Sequence, residues 1–241
     1  AIQAVKTARV EQPVLALVRP PGHHAEPAAG MGFCVFSNAA LAAHWARANG
    51  GPTLIVDFDY HHGNGTQAWV ERALSEAGSP LGFISTHASP AYPGTGHFSE
   101  SRLEERGFIV DIPLGLGTET DDFIAVWAAL LPPLTRRLQP RTIVVSAGFD
   151  FLRDDPIAGL PVEQRAVDAL CALLSDVAAA QRAPLALVLE GGYSLANMRR
   201  SGDCLARSFG KHACALHLAA AARPQDPDLA AMVSRVLAWL D

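Results

Sequence analysis

The chain of 241 residues, 49% of them hydrophobic, is long enough for one domain of α/β size with a large core. Its net charge of −5 is spread without a basic stripe, which argues against the electrostatic footprint of a nucleic-acid binder. No apolar run reaches the roughly 18 residues that a membrane-spanning helix needs, and the first residues lack the apolar core of a signal peptide.

In chain order, short apolar runs alternate with stretches of helical period. The runs are Val14–Val18, Thr53–Asp57, Leu81–Thr86, Gly107–Ile112, Thr142–Ser146 and Leu185–Leu189. Helical periods fall near Phe36–Ala48, Thr66–Ala77, Thr120–Leu138, Val162–Gln181, Leu195–Phe209 and Asp228–Leu240. Thr118 or Thr120 is placed to cap the helix near 120, and Asp121 and Asp122 suit its positive end. Near-continuous β-branched runs alternating with helices indicate a parallel sheet covered on both faces. The expected fold class is α/β: three layers, α/β/α, about a mainly parallel sheet of about six strands. No repeat or linker divides the chain, so residues 1–241 are expected to form a single domain.

Ligands of open parallel sheets bind beyond the carboxyl ends of the strands. Here those ends lead into "RPPGHHAEP", "DFDYHHGNG", "STHASPAYPGTG", "SAGFDFLRDDP" and "LEGGYSL". Asp57, Asp59 and His61 are two apart, so in extended backbone they share one face. A carboxylate and an imidazole at that spacing can chelate a divalent ion together. Oxygen and nitrogen donors without sulfur suit zinc, manganese or iron. Asp150 ends another apolar run and is a candidate third ligand, which would leave one coordination position open for water.

Other polar residues are read more plainly. "GNG" and "YPGTG" lack the spacing of nucleotide-binding loops. His44, His212 and His217 read as surface or core residues, His97 as solvated, and His87 as ambiguous. His62 is expected to pack or make a supporting hydrogen bond. Cys34, Cys171, Cys204 and Cys214 have no zinc-site spacing, and a reducing cytoplasm is the expected location.

The motifs "RPPGHHAEP", "MGFCVFSNAALAA", "DFDYHHGNGTQ", "YPGTG", "VVSAGFD" and "LEGGY" together resemble the zinc-dependent histone deacetylase family. They look closest to its class II-type and bacterial amidohydrolase members, which include acetylpolyamine deacetylases. The resemblance covers roughly Ala4 to Phe209. It implies hydrolysis of an acylated amine, on protein lysine or a polyamine, with one zinc bound by Asp59, His61 and Asp150. It further implies tandem histidines His23 and His24, oriented by Asp57 and Asn64, with His24 as general base. Tyr193 is implied as donor to the substrate carbonyl. Phe33, Tyr92 and Gly191 are implied to line an acyl-lysine tunnel. A structural potassium is implied at Asp57, Ser85 and the backbone of Asp59 and His61.

Arginases share the implied fold and carry two further carboxylates for a second metal. The corresponding positions here are Gly63 and Leu152, which favours one zinc. Relatives usually carry a further portion before the position of Ala1, with two strands and a rim carboxylate. Without it, Val14–Val18 is expected at a bare sheet edge, an aggregation hazard that a partner or a second copy of the chain would cover. A metal-binding but inactive module is therefore the alternative expectation. The stretch "GTGHFSESRLEERG" also departs from the family pattern, with consequences for the rim rather than the metal.

Overall fold

A computed structural model describes residues 1–209 and 223–240; His212, Cys214 and His217 lie outside them. The first helix, α1 (Ile2–Thr7), was not expected. It spans fewer than two turns of 3.6 residues, too few to show a period. Then follow β1 (Val14–Ala16), α2 (Asn38–Gly50), β2 (Thr53–Asp57), α3 (Asn64–Ser75) and β3 (Leu81–Ala88). The chain continues through β4 (Arg102–Glu104), β5 (Gly107–Leu114), α4 (Thr120–Leu138), β6 (Thr142–Ala147) and α5 (Arg165–Gln181). β7 (Leu185–Leu189), α6 (Leu195–Phe209) and α7 (Pro227–Leu237) complete it.

The strands form one seven-stranded sheet in the order β1-β7-β6-β2-β3-β5-β4. All pairings are parallel except β4 with β5. β4 is the strand beyond the expected six. It is three residues of "RLE" that fold back on Gly107–Ile109. It carries no apolar run, and only its partner strand makes it extended. β1 stands at the opposite edge, as expected, paired with β7.

Alternation along the strands builds two cores. Leu54 and Val56 of β2 point into a cluster with α4, α5, α6 and α7, while Ile55 points into another with α1, α2 and α3. β5, β6 and β7 repeat the pattern, so each interior strand is buried on both faces and reads as an unbroken apolar run. Each such side chain contributes about 1.5–3 kcal/mol when fully buried. The expected cap of α4 is not made: Glu119 holds the capping position without a side-chain bond, and the Thr120 hydroxyl accepts from Glu163 N instead. No helix among the described residues is long and apolar enough to cross a membrane.

Candidate active site

β2 and β6 are neighbours, yet the chain leaves them in opposite directions across the sheet, β2 toward β3 and β6 toward β7. Such a switch point is where open α/β sheets form a ligand crevice. Asp57 ends β2, in register with Ser146 of β6 and Ser85 of β3. Asp59 and His61 follow β2, and Asp150 follows β6.

These residues converge. His61 Nδ1 lies 3.2 Å from Asp59 Oδ1 and 3.0 Å from Asp150 Oδ2, with both aspartates fully buried. Backbone amides aim the carboxylates: Gly191 N donates to Asp59 Oδ2 at 2.7 Å, and Tyr60 N to Asp150 Oδ1 at 3.0 Å. Asp150 Oδ2 is buried without a well-directed hydrogen bond. A Cβ at Gly148 would sit 1.9 Å from Asp59 Oδ2, and one at Gly191 2.5 Å from Asp150 Oδ2. Glycine at both positions leaves room for the carboxylate oxygens to face one point. Two carboxylates and one imidazole nitrogen around that point fit a divalent ion such as zinc.

Charge is unevenly shared. Burial raises Asp150, and the neighbouring Asp59 charge adds to this, to about 6. Burial also opposes ionisation of Asp59, but His23 and His61 outweigh it and hold its carboxyl below the usual range. Burial lowers His61, but its bonds to Asp150 and Asp59 carry it up to about 9. Two carboxylates thus compete for the positive charge of the imidazoles beside them, the electrostatic setting that a divalent cation relieves.

The tandem histidines stand beside this cluster. His23 Nδ1 is 3.2 Å from Asp57 Oδ2, and His24 Nδ1 is 2.8 Å from Asn64 Oδ1. The Asn64 amide donates to Glu26 Oε1 at 2.8 Å, so its oxygen must face His24. His24 therefore carries its proton on Nδ1 and leaves Nε2 as acceptor. Burial and the neighbouring His23 charge push His24 down to about 3. Burial also disfavours the His23 cation, but Asp59 and Asp57 outweigh it and raise His23 well above the usual histidine value.

Above them opens a cavity of about 570 Å³, lined by His23, His24, His61, Phe33, Tyr92 and Tyr193 among others. Phe33 and Tyr92 are exposed on its wall, and Gly191 also lines it. Phe33 faces the Tyr193 ring at 6.2 Å between centroids, and Tyr92 faces His24 at 5.1 Å. Ser85 is fully buried in β3 and shares a hydrogen bond with His87. A larger cavity of about 610 Å³ lies between α2 and α3, but none of the clustered residues reaches it.

Other readings resolve as follows. His62 bonds Thr95 Oγ1 and Gln67 Oε1, both at 2.8 Å, in the supporting role expected of it. His97 is exposed, and His44 lies on α2 against Trp69. A Cβ at Gly63 would meet Asp57 Oδ2 at 2.3 Å, so no side chain fits there without a shift, and Leu152 is packed in the core. Neither position offers a second metal a ligand.

Two carboxylates escaped the reading of the sequence. Glu190 is fully buried and accepts from Gly22 N at 2.6 Å and His23 N at 3.1 Å. Asp155 accepts from Tyr193 N at 2.8 Å and Ser194 N at 3.1 Å. A charged residue directly after a fully apolar strand was the available signal for Glu190. The Asp-Pro turn in "RDDP" was the signal for Asp155.

Residues 1–208 match the family described as the histone deacetylase domain. Histone deacetylase 10 (chloroplastic) of Oryza sativa is 38% identical over 80% of this chain and 44% of its own length. A probable deacetylase of Archaeoglobus fulgidus is 37% identical over 81% and 54%. A histone deacetylase-like amidohydrolase of Pseudomonas aeruginosa is 37% identical over 74% and 47%. The chain thus spans about half the length of these curated relatives. The crystal structure of the HDA15 HD domain superposes with a TM-score of 0.77 at 33% identity, over 94% of this chain and 60% of that one.

Proposed function

The chain belongs to the histone deacetylase family, and from that premise we propose that it hydrolyses an acyl-amide, acetyl-lysine in a protein or an acetylated polyamine, with one zinc held by Asp59, His61 and Asp150. The observation that carries the proposal is the convergence of those three side chains beneath a cavity whose wall holds His24 and Tyr193.

When bound, zinc supplies Lewis acidity, which lowers the pKa of water toward ~7 and polarises the amide carbonyl. The chain's own residues do the rest. His24, neutral and with Nε2 bare, accepts the proton of the attacking water and later returns it to the leaving amine. Asn64 holds it in the tautomer that permits this. Being uncharged, Asn64 adds less basicity than a carboxylate would. His23, charged and backed by Asp57, keeps positive charge beside the developing oxyanion. Tyr193 donates to that oxyanion, a contact worth about 3 kcal/mol in comparable sites. Phe33 and Tyr92 exclude water along the acyl chain.

A structural potassium at Asp57, Ser85 and the carbonyls of Asp59 and His61 is part of the same proposal. His87 supports it. Gly96 O only accepts, so His87 Nε2 carries the proton and Nδ1 must accept from the Ser85 hydroxyl at 2.9 Å. The Ser85 oxygen then has lone pairs free for a cation.

The test is metal analysis of the purified chain together with hydrolysis of a fluorogenic acetyl-lysine peptide and an acetylated polyamine, with and without a hydroxamate. One zinc per chain and hydroxamate-sensitive turnover are expected. Metal without turnover of either substrate would instead favour a metal-binding, inactive module.

A further inference from the structure

We infer that Asp155 is the positioning residue for Tyr193, and that it couples Tyr193 to the cavity rim at Ile157. The inference rests on the reading of Tyr193 as oxyanion donor.

One carboxylate joins two loops. Asp155 Oδ1 accepts from Ile157 N at 3.0 Å and Ala158 N at 3.2 Å. Its Oδ2 accepts from Tyr193 N at 2.8 Å and Ser194 N at 3.1 Å. Asp155 is 7% exposed, so little water competes for these bonds. Tyr193 and Ile157, the first residue of each bonded pair, both line the cavity. The chain reaches Asp155 through Asp154, whose φ of 68° is a left-handed conformation that a non-glycine residue adopts at a cost. A second bond ties the same loops, Asn197 Nδ2 to Arg153 O at 2.8 Å.

The chemistry requires a carboxylate. All four partners are N–H donors, and an ionised carboxylate offers lone pairs on both oxygens. Bonds to an ionised acceptor are roughly twice as strong as neutral ones. An asparagine offers one oxygen and one NH2 group, so it can serve one loop while setting N–H against N–H at the other. The tyrosine backbone would be released or the rim would. Asp150 lies five residues upstream and accepts from the Tyr60 amide, outside this loop, so the metal cluster need not move with it.

The experiment is a double-mutant cycle on the zinc-loaded chain: Asp155→Asn, Tyr193→Phe and both together, assayed on the acetyl-lysine peptide. Asp155→Asn is expected to keep its zinc and lose kcat by up to about 100-fold, the scale of a misplacement near 1 Å. In the Tyr193→Phe background the same change should cost no more than about twofold, because the group it positions is gone. Hydrogen exchange at the Tyr193 and Ser194 amides should accelerate in Asp155→Asn. Should that chain fail to fold, Asp155→Glu takes its place in the cycle, keeping the charge while displacing it. Costs that multiply across the two backgrounds overturn the positioning role, as does a wild-type kcat from Asp155→Asn. If Tyr193→Phe alone turns over like wild type, the reading of Tyr193 itself falls, a different failure from multiplying costs.

Discussion

Two buried His/Asp triads sit side by side, one ending in His61 and the other starting at His62. Asp59, His61 and Asp150 form the first; His62, His87 and Asp111 form the second. The first has two aspartates and one histidine, the second two histidines and one aspartate, and in each the donor atoms lie within 4.8 Å of one another. The difference is in what else those atoms touch. In the first, one His61 nitrogen faces two carboxylates, and the partly buried ring lines the cavity. In the second, each ring nitrogen already has a protein partner. His62 bonds Thr95 and Gln67, and His87 bonds Ser85 and Gly96 O. A triad becomes a candidate metal site through what the fold withholds from it. Here it sets two carboxylates against one imidazole nitrogen in the first triad, with glycines at 148 and 191 beside them, while in the second both imidazoles are already bonded and the single carboxylate, Asp111, lies 3.3 Å from His62 Nε2.

The largest effect expected from that contrast is on metal content. Asp150→Ala or His61→Ala should abolish the one zinc per chain, read by elemental analysis, and turnover should fall to background. His87→Ala should keep the zinc. Metal retained in the first pair of variants, or lost from the third, would reverse the assignment of the two triads.

How much of this the sequence disclosed depends on the range of the interaction. The grouping of Asp57, Asp59 and His61 was legible within five residues because the alternation of β2 carries on past its end, with Phe58 and Tyr60 packing with Leu54 and Val56 on the other side. The parallel layered fold was legible because strands buried on both faces leave unbroken apolar runs. β4 was not, because "RLE" becomes extended only by pairing with β5. The α4 cap failed because Thr120 was taken by Glu163, a partner far along the chain. His87 was ambiguous because Ser85 and Gly96 fix its tautomer while burial beside His62 keeps it neutral, and no local spacing reveals that burial.

A smaller effect is expected on stability. His87→Ala leaves the Ser85 hydroxyl and the Gly96 carbonyl buried without their partner, at about 1–3 kcal/mol for each unsatisfied group. The cost should shrink at low pH. Burial and the adjacent His62 push His87 down to about 3, so between the ordinary value near 6.5 and about 3 the unfolded chain binds a proton that the folded chain does not. Stability from a neutral His87 is therefore full above pH 6.5 and is lost as pH falls toward 3. Denaturant melts of wild type and His87→Ala should converge over that window. A gap independent of pH would mean that His87 binds protons equally in the folded and unfolded chain, and that burial in the second triad does not hold it neutral.

The smallest effect on turnover is expected at Glu190, which stands behind the first triad without belonging to it. Its Oε2 takes the amides of Gly22 and His23, while Oε1 is buried with no partner. Burial drives this carboxyl up to about 7, with His23 opposing. The sign is opposite to that of His87. Above the ordinary glutamate value of about 4.5 the unfolded chain has released a proton that the fold retains, so stability declines as pH rises from there to about 7. Glu190→Gln keeps an oxygen for both amides and removes that titration. It should flatten the decline, retain zinc and change kcat only severalfold, since the His23 backbone stays anchored. A large loss of turnover with zinc intact would show that the Glu190 charge, and not just its oxygen, sustains the His23 cation. The catalytic cluster would then extend one carboxylate beyond the triad and its two histidines.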